Sequence, residues 1–494
     1  MRINSFGLLL AIVEGFLICY TIYTSDKNEK WSPDGKKPLY TPYVSSLTFI
    51  LVISITPILS VALFDIKAAV QKIIGFNFSI FLQVFLYYLV LIPCIPILRK
   101  FINARACAVL WLIPSCMHIM QYEPFAPDKP IFILAAPYFL VIILFLVWFI
   151  GFLTVMVWKI GSHIKFRRYI LKNSSEITDR NIIDIWYDEL ERSRIHKTDY
   201  PLLKSNLVKT PVSIGIFKSK IFVVIPEKSY SDDDLKLIFR HEIVHIGRAD
   251  SLAKFYNVFC TAICWFNPLM WFAMRKSADD IELSCDETVL LDADEKIRAR
   301  YANLILETAG DERGFTTCLS ASANALRYRL KNIVKPNKKF SGAVIVFLIF
   351  IVMCMTTGYT ALVYGDYTGK DIIFSESNTE DFKLSYVGFK PDNEDYICTN
   401  ENALKEYLLN LRIQNISGVY NFKNEKKRWV TISYETPNDY VIIKLFGNFI
   451  KVQPRQNISD FDYYYLPDGV DFDKLHELIK VDDFKNIKNG MYIP

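Results

Sequence analysis

The chain reads as a multi-span α-helical membrane protein with one α+β domain before its last span and a second, smaller α+β domain after it. Three observations predict this. Hydrophobic residues make up 52% of the 494 and aromatic residues 15%, rich for a soluble fold, and they gather in runs near the roughly 20 residues that cross a bilayer. At Lys159 the composition turns polar and basic. Beyond the last apolar run it turns acidic, with 16 Lys and Arg against 21 Asp and Glu over residues 366–494, although the whole chain is +5.

The apolar runs are Ser5–Thr24, Tyr43–Phe64, Phe78–Leu98, Ala104–Tyr122, Ile131–Trp158 and Gly342–Val363. Five fall in a transmembrane region over residues 1–158, and the sixth forms a last span over 342–363. The fourth carries Arg105, Pro114 and His118. The first reads as a retained span, because no small-residue cleavage site follows it and Ser25–Lys37 is mostly polar. Glu14 within it is costly in lipid, so it faces the bundle interior or has a function.

Lys and Arg in the short loops set the orientation. With the N-terminus outside, the inner loops hold Lys27, Lys30, Lys36 and Lys37, then Arg99, Lys100 and Arg105, then Lys159, Lys165, Arg167, Arg168 and Lys172. The outer segments hold only Arg2, Lys67, Lys72 and Lys129. Residues 159–341 are therefore expected in the cytoplasm and residues 364–494 outside. A basic half facing anionic inner lipids accounts for the charge without nucleic acid. Of the ten cysteines only Cys398 falls in the external domain, so no disulfide framework is expected there.

Within 159–341, Asp179–Ile195 has the spacing of an amphipathic helix, with Ile182, Ile183, Ile185, Trp186 and Leu190 as its apolar set. Two strand-like runs follow, Thr210–Phe217 and Lys220–Pro226. They either brace the next helix or offer an edge to an extended peptide.

That next helix is the centre of the chain. Ser231 with Asp234 marks its start, and Leu235, Ile238 and Phe239 give its apolar face. It then reads Arg240-His241-Glu242-Ile243-Val244-His245. Residues four apart share a helix face, so His241 and His245 can present two imidazoles to one Zn2+, with Glu242 beside them as general base. A catalytic zinc takes three protein ligands and keeps a fourth position for water. Glu282, in Asp279–Glu287, is the best third ligand, and Asp286 on the same face could orient a ligand imidazole. Between them, Asn257–Met274 is apolar and aromatic. Read as a span it would put Glu282 across the bilayer from His241, so it is expected to be a buried or membrane-surface helix. The domain is thus a cytoplasmic α+β, gluzincin-like zinc metallopeptidase.

In the tail, Ala403–Leu411 and Phe472–Ile479 read as helices, and Trp429–Tyr434, Tyr440–Phe446 and Phe449–Val452 as a meander.

From about Phe78 to Val363 the chain resembles the bacterial β-lactam-sensing antirepressor metallopeptidases of the BlaR/MecR type. The similar parts are Trp111–Pro114, Ser213–Lys218, Ile221–Pro226, His241–Asp250, Trp265–Trp271, Glu282–Glu287 and Arg327–Ile333. The resemblance implies His241, His245 and Glu282 as zinc ligands and Glu242 as catalytic base. It also implies a plasma-membrane protein whose cytoplasmic protease domain is regulated from outside, with a protein substrate such as a winged-helix repressor, and self-cleavage. Two departures matter. Residues 1–77 add two spans, and no tail serine has Lys three residues on, so the Ser-x-x-Lys acylated by β-lactams in the family's sensor is missing. The external ligand stays open, and an oligomer is compatible with the sequence. The competing readings are a housekeeping membrane metallopeptidase of the heat-shock or CAAX type, a site-2 type intramembrane protease, disfavoured by the charges around the motif, and a non-catalytic receptor with structural zinc.

Overall fold

A computed structural model describes the chain apart from residues 1, 4, 30–39, 42–49, 56–57, 59–61, 63–65, 120–124, 128, 194, 196–199, 217–219, 292, 309–322, 337, 375–380, 391–395, 418–428, 437–438, 454–461 and 482–494. Most of the expected second span, Tyr43–Phe64, lies outside the described residues.

Among the described residues, three helices are long and apolar enough to cross a membrane: α1 (Ser5–Asn28), α2 (Ile66–Leu98) and, after a short helix α3 (Ala104–Leu110), α4 (Tyr138–Lys172). The expected fourth span, Ala104–Tyr122, is corrected. It is broken into α3, the single turn Ile113–Cys116 and a 3-10 turn Met117–Ile119, and residues 104–118 are buried apart from a half-buried Asn103 before them. Pro114 supplies no N–H and breaks the ladder. Broken backbone at membrane depth is tolerated only inside protein. Here α2 meets that need, with Tyr87 and Tyr88 donating to the carbonyls of Leu110 and Trp111 at 2.8 and 2.7 Å.

Strand β1 (Phe132–Ala136) precedes α4 and replaces the start of the span expected from Ile131. After α4 comes a four-stranded sheet of β2 (Ser175–Glu176), β3 (Leu202–Ser205), β4 (Val212–Ile214) and β5 (Phe222–Pro226), in the order β2-β3-β5-β4. The two strands read from sequence are β4 and β5, antiparallel. Helix α5 (Arg180–Arg192) shares a core with Val223 and Ile225 of β5 through Ile185, Trp186 and Leu190.

Next come α6 (Asp232–Arg248), α7 (Asp250–Ile263), α8 (Pro268–Val289), α9 (Glu295–Thr308) and α10 (Ala323–Val334). The apolar stretch 257–274 is the tip of an α7–α8 hairpin that enters the bundle and returns. Asn267 caps α8 by accepting from Leu269 N–H. At the tip, Trp265 donates to the Trp148 carbonyl and Trp148 donates to that of Ile263, while Phe266 meets Phe81 edge-on. Both ends of the hairpin therefore stay on one side.

The last helix, α11 (Ala343–Met355), is shorter than the span expected over Gly342–Val363. At 1.5 Å per residue its 13 residues cover about 20 Å, against roughly 30 Å of hydrocarbon. It stops at Thr356, whose hydroxyl turns back to the Met353 carbonyl, and Gly358 follows at φ +83°. Strand β6 (Thr360–Thr368) then opens the C-terminal domain. Strands β7 (Lys383–Lys390), β8 (Arg412–Ile416), β9 (Trp429–Thr436), β10 (Asp439–Phe446), β11 (Phe449–Gln453) and β12 (Asp462–Tyr465) complete an eight-stranded sheet in the order β1-β6-β8-β12-β11-β10-β9-β7. The expected meander is β9-β10-β11. Strand β1 joins from the membrane region, parallel to β6, with Phe132 opposite Thr360 and Ala136 opposite Tyr364.

Contacts fix the two ends of the bundle. Ser79 of α2 meets Thr360 at the sheet end. At the other, Arg99 just past α2 pairs with Asp280 of α8, and Phe340 before α11 exchanges backbone hydrogen bonds with Phe101 and Asn103.

Candidate metal centre

Helix α6 starts where its residues dictate. Ser231 accepts from Asp234 N–H, and Asp232, Asp233 and Asp234 place negative charge in the first turn, where the helix dipole favours it. Leu235, Phe239, Ile243 and Ile246 bury against Trp186, Val223 and Ile225. This sets the opposite side of the helix, with His241 and His245, against α8 and α9. The helix ends at Ala249, a non-glycine residue at φ +58°. Such a conformation is uncommon for alanine. It brings Asp250, the first residue of α7, back onto the helix it has just left.

Each imidazole is held by its Nδ1. Asp250 lies 2.6 Å from Nδ1 of His245; a carboxylate only accepts, so that nitrogen carries the proton. The Tyr301 hydroxyl donates to Asp286 at 2.8 Å, so its oxygen accepts from Nδ1 of His241, also at 2.8 Å. Both rings then direct the Nε2 lone pair into the site, where the two Nε2 atoms face each other at 3.0 Å. Oε2 of Glu282 stands 3.6 Å from Nε2 of His241 and 3.7 Å from that of His245. Lys254 holds the other oxygen, Oε1, at 2.7 Å.

This donor set fits a divalent cation. Bonds of 2.0–2.1 Å at a tetrahedral zinc put ligand atoms about 3.4 Å apart, close to the spacing among these three. Two facing lone pairs repel unless positive charge lies between them. The groups around the imidazoles also favour positive charge there. Burial opposes charge on the two imidazoles, but Cys285 and Glu282 outweigh it, bringing His241 up to about 10 and His245 well above the usual range. Burial likewise opposes charge on Glu282, yet Lys254 and His245 hold it well below the usual carboxylate range.

A second candidate third donor is Cys285. With His241 and His245 it forms a group whose ligand atoms lie within 4.8 Å of one another. Its sulfur, however, sits 3.3 Å from Nδ1 of His241, the nitrogen already engaged by Tyr301.

Glu242 is buried beside the pair, and Ser213 Oγ donates to its Oε2 at 2.5 Å. Of the five residues expected from sequence, His241, His245, Glu282 and Asp286 come together, and Glu242 follows His241 in the helix with its carboxylate held by Ser213. Asp286 stands 3.7 Å from Nδ1 of His241, with Tyr301 bridging the two, and Arg329 of α10 grips it with Nε and Nη2 at 2.7 and 2.8 Å. The sequence does not signal the roles of Ser213, Asp250, Lys254, Cys285, Tyr301 and Arg329 by spacing alone. Only Asp250 had a local signal, five residues after His245 in the motif itself.

Arg248, in the last turn of α6, ties the site to the bundle. It pairs with Glu29, just past α1, at 2.6 Å, and bonds Ser284 and Thr288 of α8. Arg105 of α3 reaches the same Glu29 carboxylate at 3.0 Å.

Residues 133–333 match the family described as BlaR1 peptidase M56. The regulatory protein BlaR1 of Bacillus licheniformis is 26% identical over 185 residues, 37% of this chain and 30% of that protein. The methicillin resistance mecR1 proteins of Staphylococcus aureus and Staphylococcus epidermidis are each 23% identical over 163 residues, 33% of this chain and 27% of theirs. The chain matches less than a third of the length of these curated relatives. Residues 133–333, which hold both imidazoles, Glu242 and Glu282, are thus similar to the M56 peptidases of the BlaR/MecR type.

Proposed function

We propose that this chain is a membrane-bound zinc metalloendopeptidase that acts as a signal transducer, coupling a stimulus outside the cell to proteolysis in the cytoplasm. The observation that carries the reading is the convergence of Nε2 of His241, Nε2 of His245 and Oε2 of Glu282 beside a buried Glu242. Those three residues would hold Zn2+, which when bound polarises a scissile carbonyl and lowers the pKa of water towards about 7.

The chain's own residues do the rest. Asp250 and Tyr301 each accept or share the Nδ1 proton, so that Nε2 is the atom each ring offers to a metal. Lys254 holds Oε1 of Glu282 and turns Oε2 towards the imidazoles. Ser213 occupies Oε2 of Glu242, so the other carboxylate oxygen takes the proton of the attacking water. The same oxygen returns it to the leaving amide nitrogen.

Positive-inside loops support a cytoplasmic site and an external C-terminal domain in the plasma membrane of a bacterium. The substrate is a protein, with a winged-helix repressor and the chain itself as candidates, and the external ligand is a molecule other than an acylating β-lactam.

A second reading, a receptor with structural zinc, is favoured by Cys285, because a closed site of four protein donors is the structural arrangement. One comparison separates the two. Zinc per chain and cleavage, of the chain or of a co-expressed repressor, are measured in membranes for wild type and Glu242→Ala. Zinc in both with cleavage only in wild type is expected. Zinc in both with identical products sinks the protease reading.

A further inference from the structure

The strand nearest the site carries one polar side chain where its neighbours would have an apolar one. In β4, Val212 and Ile214 point to one face of the sheet and pack with Ile170 and Val224. Strand periodicity turns Ser213 to the other face, where Val223 and Ile225 meet Phe239 and Ile243 of α6. Ser213 is 3% exposed. A hydroxyl buried there without a partner is destabilising. Its partner is Glu242, whose Oε2 accepts from the hydroxyl at 2.5 Å.

The strand's position adds to this. In the order β2-β3-β5-β4, strand β4 is an edge, paired with β5 alone among the described residues. Ser213 sits at its middle, opposite Val223. The residue that holds Glu242 is therefore on the one strand of this sheet that lies against the motif helix with a side left unpaired.

We infer that Ser213 is the positioning residue for Glu242: its hydroxyl fixes one carboxylate oxygen and so aims the other at the reacting water. The inference rests on the metallopeptidase reading and deepens it. Ser213 takes no proton and forms no bond with substrate. It removes the rotational freedom of the Glu242 carboxylate before substrate arrives, which is how an oriented base gains rate. A purely structural serine would affect folding and leave the ratio of kcat to zinc content unchanged.

The test uses the full chain in lipid nanodiscs, reading zinc per chain and cleavage of dye-quenched casein for wild type, Glu242→Ala, Ser213→Ala and Ser213→Thr. Ser213→Ala is expected to keep its zinc and a KM within about twofold of wild type, as for loss of an interaction used in the transition state. Its kcat should fall by about 10- to 100-fold, the range for a hydrogen bond to a charged group. Ser213→Thr, which keeps the hydroxyl, should recover most of that loss. A wild-type kcat in Ser213→Ala, or a Ser213→Thr no faster than Ser213→Ala, overturns the inference.

Thermal unfolding supplies a readout that needs no activity. Ser213→Ala should lower the midpoint in the wild-type background and leave it unmoved in Glu242→Ala, as contacting residues do in a double-mutant cycle. Equal shifts in both backgrounds overturn the contact. Casein cleavage no faster in wild type than in Glu242→Ala defeats the metallopeptidase reading, and the catalytic use of Ser213 with it. The thermal cycle still reports whether the contact exists, so the two failures are distinguishable.

Discussion

The imidazole of His245 and the carboxylate of Asp250 lie 2.6 Å apart across the left-handed turn at Ala249 that ends the motif helix. The turn and the ligand are one device. Ala249 takes a conformation that costs alanine about 1 kcal/mol, and in return Asp250 fixes which nitrogen of His245 is free.

Asp250→Ala should therefore weaken zinc binding by about 10- to 100-fold, the usual effect of losing a partner behind a ligand imidazole. Competition against a chelator of known affinity checks this. Unchanged affinity would mean that the Ala249 turn, and not Asp250, orients the ring.

Tyr301→Phe is expected to act on His241 in the same direction. It removes the hydroxyl between Nδ1 and Asp286 while leaving Arg329 paired with Asp286. Zinc affinity should fall by about tenfold with little change in thermal stability. A loss of stability as large as that of Asp286→Ala would instead assign Tyr301 a packing role.

Protons and metal compete for this site, and the sign follows from the shifts. In the metal-free chain both imidazoles are raised, His241 to about 10. Their charged forms contribute stability that is fully present below the unfolded histidine value of about 6.5 and lost as pH rises through the folded values. Zinc must displace those protons, so its apparent affinity should climb from pH 6 to pH 9. Calorimetry in two buffers of different ionisation enthalpy should detect proton release at pH 7.5. No release would show that the imidazoles are already neutral.

Glu29 links α1 to the motif helix through charge. Burial opposes ionisation of its carboxyl, but Arg248 and Arg105 outweigh it and hold it below its ordinary range. A lowered carboxyl contributes stability that is complete above its unfolded value of about 4.3 and lost as pH falls through the folded value. Glu29→Gln leaves two buried guanidinium groups without their counter-charge, which costs about 3–5 kcal/mol. Its unfolding midpoint should lie well below wild type at pH 7, and the gap should close as the medium becomes strongly acidic. A gap that persists in acid would place the effect in packing.

Local signals were readable in the sequence, and tertiary ones were not. The capped motif helix, the β4–β5 pair and the β9–β10–β11 meander follow from spacing over a few residues. Glu282 and Asp286 were found because they share one helix face in a carboxylate-rich stretch. Ser213, Lys254, Tyr301 and Arg329 reach the site from four other elements, and no spacing links them to His241. Ala104–Tyr122 reads as a span because hydropathy counts apolar residues without telling whether lipid or protein surrounds them. Phe132–Ala136 and Thr360–Val363 were absorbed into apolar runs, where a buried strand and a helix end look alike.

The parallel ladder between Phe132–Ala136 and Thr360–Tyr364 joins segments that are more than 200 residues apart in the chain. A backbone cut anywhere between α4 and α11 would therefore leave two pieces still stitched together, one contributing a strand to the other's sheet. The severed C-terminal piece would stay with the N-terminal one. Expressed alone from residue 364, the tail would lack Phe132–Ala136 and the first four residues of its own opening strand, and would present a bare edge to other chains.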